Sequence, residues 1–121
     1  MIKEIFNYYS RISRKRKAEL FFDLLKPQKE SILLDAGGGL GTGFRDIWLY
    51  FSRVIVVDIN KEYIKQINND KSLNNVIGIV GDVCHLPLED NSVDYVFSNA
   101  VIEHIKKKDS YLQMKFVVWL K

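Results

Sequence analysis

LLDAGGGLGTG (residues 33–43) holds five glycines in eleven positions, directly after an apolar run and a carboxylate, Asp35. Glycine loses more conformational freedom on ordering than any other residue, and it weakens helices and strands alike. A chain that concentrates it here needs a backbone free of side chains. One or two glycines are enough for a tight turn. Five point instead to a backbone that a ligand approaches closely.

The flanks say where this loop sits. SILLDA (31–36) is a short, continuous apolar run, the pattern of a strand covered on both faces. Beyond the glycines, Phe44, Ile47, Trp48 and Phe51 recur at helical spacing. VIVVD (54–58) is a β-branched run ending in Asp58, and KEYIKQINN (61–69) reads as a helix with Ile64 and Ile67 facing in. NVIGIVGD (75–82) is a third strand ending in Asp82, CHLPLEDNS (84–92) a loop, and VDYVFSNA (93–100) a fourth strand, after which VIEHIKKK (101–108) opens another helix. Upstream, residues 11–26 read as a helix with Ala18, Phe21, Phe22 and Leu25 in one stripe, stopped by Pro27. The tail YLQMKFVVWLK (111–121) fits either a continued helix or a strand at FVVWL. Alternating helices and apolar strands predict an α/β fold, a doubly wound parallel sheet with helices on both faces.

In such a sheet, ligands bind beyond the carboxyl ends of the strands, where the strand order reverses. The loop after the first strand lies there, and the next helix offers its positive N-terminus. The ligand type follows from spacing. The dinucleotide fingerprint G-x-G-x-x-G places Thr42 or Phe44 where its third glycine belongs, and no Gly-Lys-Ser/Thr completes a P-loop. The pattern that fits is D-x-G-x-G-x-G: Asp35, Gly37, Gly39 and Gly41. Asp58, about 20 residues past the first glycine, can accept from both hydroxyls of a ribose. Asp82 can accept from an exocyclic amine such as adenine N6, with the Val83 N–H donating to a ring nitrogen. Taken alone, Asp82 would read as a residue capping the next turn.

Composition sets bounds. A chain of 121 residues has room for one domain, and 47% hydrophobic with 27% charged residues is an ordinary globular balance. No apolar run approaches the roughly 20 residues of a membrane span, and MIKEIFNYYS is too polar for a signal peptide. One cysteine, Cys84, rules out an internal disulfide framework, and two histidines without a shared spacing give no metal site. A cytoplasmic setting is expected. The net charge of +3 is mildly basic. The basic runs SRISRKRK (10–17) and HIKKKD (104–109) read as solvated helix faces, weighed against binding an anionic substrate or RNA. The interleaved aromatics of an RNA surface are missing.

With these pieces in order, the sequence resembles a class I S-adenosylmethionine-dependent methyltransferase, of the branch acting on small molecules. The resemblance rests on ILLDAGGGLGTG, VIVVDIN and IVGDVCHLPLEDNSVDYVFSNAVIEHI, and covers residues 31–106. It implies a Rossmann-like, mostly parallel sheet and S-adenosylmethionine as cofactor. It further implies that Asp35 with Gly37, Gly39 and Gly41 holds the methionine part, and that Asp58 binds the ribose with Ile59 beside the adenine. Asp82 and Val83 would recognise the adenine, and the Asn99 backbone would lie near the cofactor's amino group. His104 is the candidate general base, weighed against a structural role behind the pocket, which the family pattern favours.

The family's domain continues past the IEHI helix with further strands, whereas this chain ends soon after it. The sequence therefore predicts an N-terminal helical segment (1–30) and a methyltransferase-like domain (31–121) truncated at its C-terminus, with about four strands. The fourth strand would be an open edge, a place for a dimer or a complementing fragment. Methyl transfer to an unidentified small-molecule acceptor is the expected function. A non-catalytic fragment that keeps at most cofactor binding is the alternative.

Overall fold

The computed structural model describes residues 2–42, 44–99 and 117–120. Five strands form one parallel sheet: β1 (Ile32–Ala36), β2 (Arg53–Asp58), β3 (Val76–Val80), β4 (Tyr95–Asn99) and β5 (Val117–Leu120), in the order β3-β2-β1-β4-β5. The chain steps outward from β1 to β3, returns to the other side of β1 as β4, and continues to β5. The reversal of direction therefore falls between β1 and β4, where the glycine loop leaves the sheet.

Alternation along the strands divides the core. Leu33, Val54, Val56 and Phe97 face the helical side, against Phe21 of α1 (Ile2–Leu25), Ile47 and Trp48 of α2 (Arg45–Tyr50) and Ile64 and Ile67 of α3 (Lys61–Asn69). Leu34, Ala36, Val57 and Val96 face the other side, where Val83, Leu86, Leu88 and Val93 from the β3–β4 connection pack on them. Phe21 has no exposed surface and meets Phe97 edge-to-face with ring centroids 5.5 Å apart, which anchors α1 to the sheet.

Polar side chains fix the ends of the elements. Asp94 Oδ2 accepts from the Ile32 N–H at 2.8 Å while the Asp94 N–H donates to the Ile32 carbonyl at 2.9 Å, which aligns the starts of β1 and β4. Asn60 caps α3 by accepting from the N–H groups of Glu62 and Tyr63. Asn75 Nδ2 donates to the carbonyls of Trp48 and Phe51 at the end of α2. No helix among the described residues is long and apolar enough to cross a membrane.

The sheet differs from the sequence expectation at its C-terminal side. VVWL (117–120) forms β5, the strand alternative for the tail, and β4 is not an edge: Val96, Phe97, Ser98 and Asn99 pair with Val117, Val118, Trp119 and Leu120. The physical reason is the row of N–H and C=O groups that an unpaired β4 would leave without partners. Two boundaries also move. The first helix begins at Ile2 rather than at residue 11, and Phe51, 2% exposed, caps α2 instead of belonging to it. The helix expected from VIEHIKKK and the residue His104 lie outside the described residues.

Candidate functional site

The glycine loop crosses the end of β1 and is tied to the end of β2. The Gly37 N–H donates to the Val57 carbonyl at 2.7 Å, and the Gly39 N–H donates to Asp58 Oδ2 at 2.9 Å. The turn runs through left-handed backbone at Gly37, Gly39 and Gly41. At Gly41, φ is +68° and a Cβ would overlap the Trp48 ring, so conformation and space both demand glycine. Gly38, which the spacing argument passed over, is needed for room: a Cβ there would stand 2.6 Å from the Asp35 carboxyl carbon.

Asp35 lies under this loop. It is 2% exposed, and Oδ2 accepts from the Trp48 indole N–H at 2.6 Å. Burial pushes its pKa up from 3.8 to about 7; the indole hydrogen bond opposes the rise and the nearby Asp58 charge adds to it. The group therefore changes charge near neutral pH.

Asp58 has a different environment. It is half-buried, Oδ2 takes the Gly39 N–H, and Oδ1 takes the Asn60 N–H at 2.8 Å. Two backbone donors occupy part of a carboxylate with about four lone-pair positions, so acceptor capacity remains. Ile59 beside it is 76% exposed, and Tyr63, an exposed residue in the first turn of α3, sets its ring against Gly39. Asp82 is exposed and serves as a turn residue. Its Oδ1 accepts from the Cys84 N–H at 2.8 Å, which holds its pKa below the usual carboxylate value, and Oδ2 stands 3.5 Å from His85 Nδ1. The capping role weighed for Asp82 from sequence is thus present. The Val83 side chain packs on the second face of the sheet.

A cavity of about 260 Å³ opens beneath the loop, lined by Arg14, Asp35, Gly37, Gly38, Leu40, Gly41, Thr42, Phe44, Tyr63 and Phe97. Of the residues expected from sequence, Asp35, Gly37 and Gly41 line it. Asp58 reaches the loop through Gly39, while Ile59, Asp82 and Val83 lie outside its wall. Asn99 ends β4, and the position of its side chain lies outside the described residues. A second, wider recess between the loop and α3 is lined by polar groups that include the Arg45–Asp70 ion pair at 2.9 Å.

Sequence reasoning missed Arg14, Gly38, Tyr63 and the Trp48–Asp35 bond. Arg14 had a readable signal: it stands four residues before Ala18 and seven before Phe21, so it extends the buried stripe of α1 by one turn.

Solved structures share this architecture. A SAM-dependent methyltransferase from Aquifex aeolicus matches with a TM-score of 0.70 at 21% identity, over 86% of this chain and 58% of that one. The YcgJ protein from Bacillus subtilis matches with a TM-score of 0.69 at 23% identity, over 78% and 42%. The [4+2]-cyclase SpnF matches with a TM-score of 0.69 at 17% identity, over 79% and 37%. The chain spans about two fifths to three fifths of the length of these structures. No curated protein matches the sequence with significance. The family model of the methyltransferase domain matches residues 34–116, well over half of the chain. The chain therefore belongs to the methyltransferase-domain family, and S-adenosylmethionine is its cofactor.

Proposed function

We propose that the chain forms the S-adenosylmethionine-binding part of an enzyme that transfers a methyl group to a small-molecule acceptor. The observation that carries this reading is the Asp58 carboxylate. It locks the glycine loop through Gly39 and keeps acceptor capacity at the end of β2, beside the strand at which the sheet reverses. That is the chemistry a ribose diol needs.

The residues present fit the cofactor in size and charge. At about 260 Å³ the cavity is just below the roughly 300–1,000 Å³ of whole small-molecule sites, so it suits one end of a larger ligand. It carries an acidic group, Asp35, and a basic one, Arg14, with Nε buried and without an acceptor among the described residues. We assign the amino-acid end of the cofactor to this cavity, beside Asp35 and the backbone of Gly37, Gly39 and Gly41. The ribose goes to Asp58, and the adenine to the exposed surface at Ile59, with Asp82 and Val83 at its rim. Asn99 contributes backbone at the end of β4.

The cofactor's sulfonium makes its methyl group electrophilic. The protein's task is then to align that group with the acceptor and exclude water, for which Phe44 and Phe97 supply an apolar wall. A base is required only where the acceptor is protonated at neutral pH, and His104 remains the candidate, against a packing role. The segments 1–30 and 31–121 contribute to one site, since Arg14 comes from the first. A dimer or complementing fragment would meet the sheet at β5, not at β4.

A second reading is a non-catalytic chain that keeps cofactor binding. It is weighed because a [4+2]-cyclase stands among the structural neighbours, and one fold hosts unrelated functions. Calorimetric titration with S-adenosylhomocysteine, with NAD as control, tests what the two readings share. Micromolar binding of the first and none of the second is expected. A folded chain that binds neither contradicts both readings; where the first binds, a methylation assay separates them.

A further inference from the structure

Among the described residues, β3 ends the sheet on the side opposite to β5. On its inner side the Asn75 carbonyl accepts from the Val54 N–H at 2.9 Å, and the Gly81 N–H donates to the Asp58 carbonyl at 3.0 Å. The alternation of a parallel pair therefore turns the N–H and C=O groups of Val76, Gly78 and Val80 to the open side. Such a row is a template for another strand. The stretch NVIGIVG (75–81) carries no charge and no proline, the usual protections of an edge. Ile77 and Val80 within it are 53% and 43% exposed.

One side chain stands in the way. Asn68, near the end of α3, accepts from the Gly78 N–H at 2.8 Å through Oδ1 and donates to the Gly78 carbonyl at 3.0 Å through Nδ2. The glycine lets the amide come this close, since a Cβ at position 78 would stand 3.1 Å from both Asn68 Oδ1 and Ile64 Cγ2. These two bonds are the ones that a hydrogen-bonded residue of an antiparallel neighbour exchanges with the residue opposite it. The Asn68 amide thus takes the place of one residue of a neighbouring strand.

The sequence points to which strand that is. VIGIV (76–80) reads the same in both directions about Gly78. Two copies paired antiparallel on a twofold axis at Gly78 set Gly78 against Gly78, Ile77 against Ile79 and Val76 against Val80, so that β-branched residues face one another on either side of the centre. We propose that the β3 edge is a self-association surface for a second copy of this chain, and that Asn68 holds it closed. The amide blocks the central residue of the three that face outward. The outward groups of Val76 and Val80 then lie too far apart to start a ladder on their own.

The test measures self-association of the full chain by sedimentation velocity over a range of concentrations. Asn68→Ala should associate about tenfold or more tightly than the wild-type chain, because the Gly78 N–H and C=O of each copy are released for pairing. Hydrogen exchange at residues 76–80 should then slow as the concentration rises. Ile77→Lys, added to Asn68→Ala, places a cation on the edge strand and should return association to the wild-type level. Equal association of the wild-type chain and an Asn68→Ala chain that is folded by circular dichroism overturns the proposal. So does association that leaves exchange at 76–80 unchanged or that survives Ile77→Lys, since another face then carries it. The wild-type chain supplies a check that needs no variant: its Gly78 amide should exchange about tenfold or more slowly than its Val80 amide. Equal rates would mean that Asn68 does not close the edge, and would overturn the proposal even where Asn68→Ala fails to fold.

Discussion

Asp35 and Asp58 end neighbouring strands, yet they are built for opposite conditions. Asp58 is half-buried, and each oxygen already accepts a backbone N–H, from Gly39 and from Asn60. These two bonds shape the loop without any contribution from a ligand. Asp35 is enclosed by the loop and by Trp48, with one indole N–H as support and a pKa raised to about 7. Its charge is poorly supported until something cationic arrives. One end of the site is thus assembled in advance, while at the other Asp35 is held by a single indole N–H and the Arg14 Nε has no acceptor among the described residues.

The largest effect is expected where the preassembled end is broken. Asp58→Ala removes the acceptor of the two proposed ribose hydrogen bonds and releases the Gly39 N–H. At roughly 1.5–3 kcal/mol per hydrogen bond to a charged group, the affinity for S-adenosylhomocysteine should fall by about a hundredfold or more in a calorimetric titration. Unchanged affinity would remove Asp58 from the site.

The next largest effect probes the unsupported end. An acid whose pKa is raised on folding contributes stability that is fully present below its unfolded value and is lost as pH rises through its folded value. For Asp35 that window runs from pH 3.8 to about 7. Asp35→Asn keeps an acceptor for Trp48 and has no charge to bury, so it should flatten the fall in stability across this window. At pH 8 it should be the more stable protein, by on the order of 4 kcal/mol at most. Urea denaturation of both proteins at pH 4.5, 6 and 8 reads the difference. Parallel profiles would mean that Asp35 is ionised throughout.

Gly38→Ala tests the roof over that carboxylate. The added methyl group meets the Asp35 carboxylate, so the loop must shift, at a cost of about 1–3 kcal/mol in stability. A weaker ligand affinity should accompany it. A neutral result in both would show that the loop yields freely. The smallest effect is expected at Asp82, exposed and engaged in a turn with Cys84. Asp82→Ala should change stability by no more than about 0.5 kcal/mol, and its effect on the affinity for S-adenosylhomocysteine isolates whatever contact it makes with adenine.

The preassembled end was largely legible in the sequence and the other end was not, for a physical reason. Asp58, Gly39 and Gly41 follow from local rules: a β-branched run ending in a carboxylate, and a loop with glycines at fixed spacing. The helix 61–69 and the inward Ile64 and Ile67 follow from periodicity in the same way. The Asp35–Trp48 bond joins two residues whose patterns each said only that they face inward. The need for glycine at position 38 arises from a contact with that buried carboxylate, which spacing does not encode. Arg14 was visible as part of a basic run. Its inward direction depended on continuing the stripe of Phe21 backwards past Ala18. For the tail the sequence leaves helix and strand open, because a four-residue apolar run takes its form from the strand beside it.

The proposed ligand lies at the reversal between β1 and β4, under the glycine loop, and not in the wider recess beside α3. Hydrogen exchange of the full chain with and without saturating S-adenosylhomocysteine tests this most directly. Added protection is predicted at residues 37–42, at 58–60 and in α1 around Arg14, with none in the second half of α3. Protection confined to the Arg45–Asp70 recess, or absent from the glycine loop, would contradict the account.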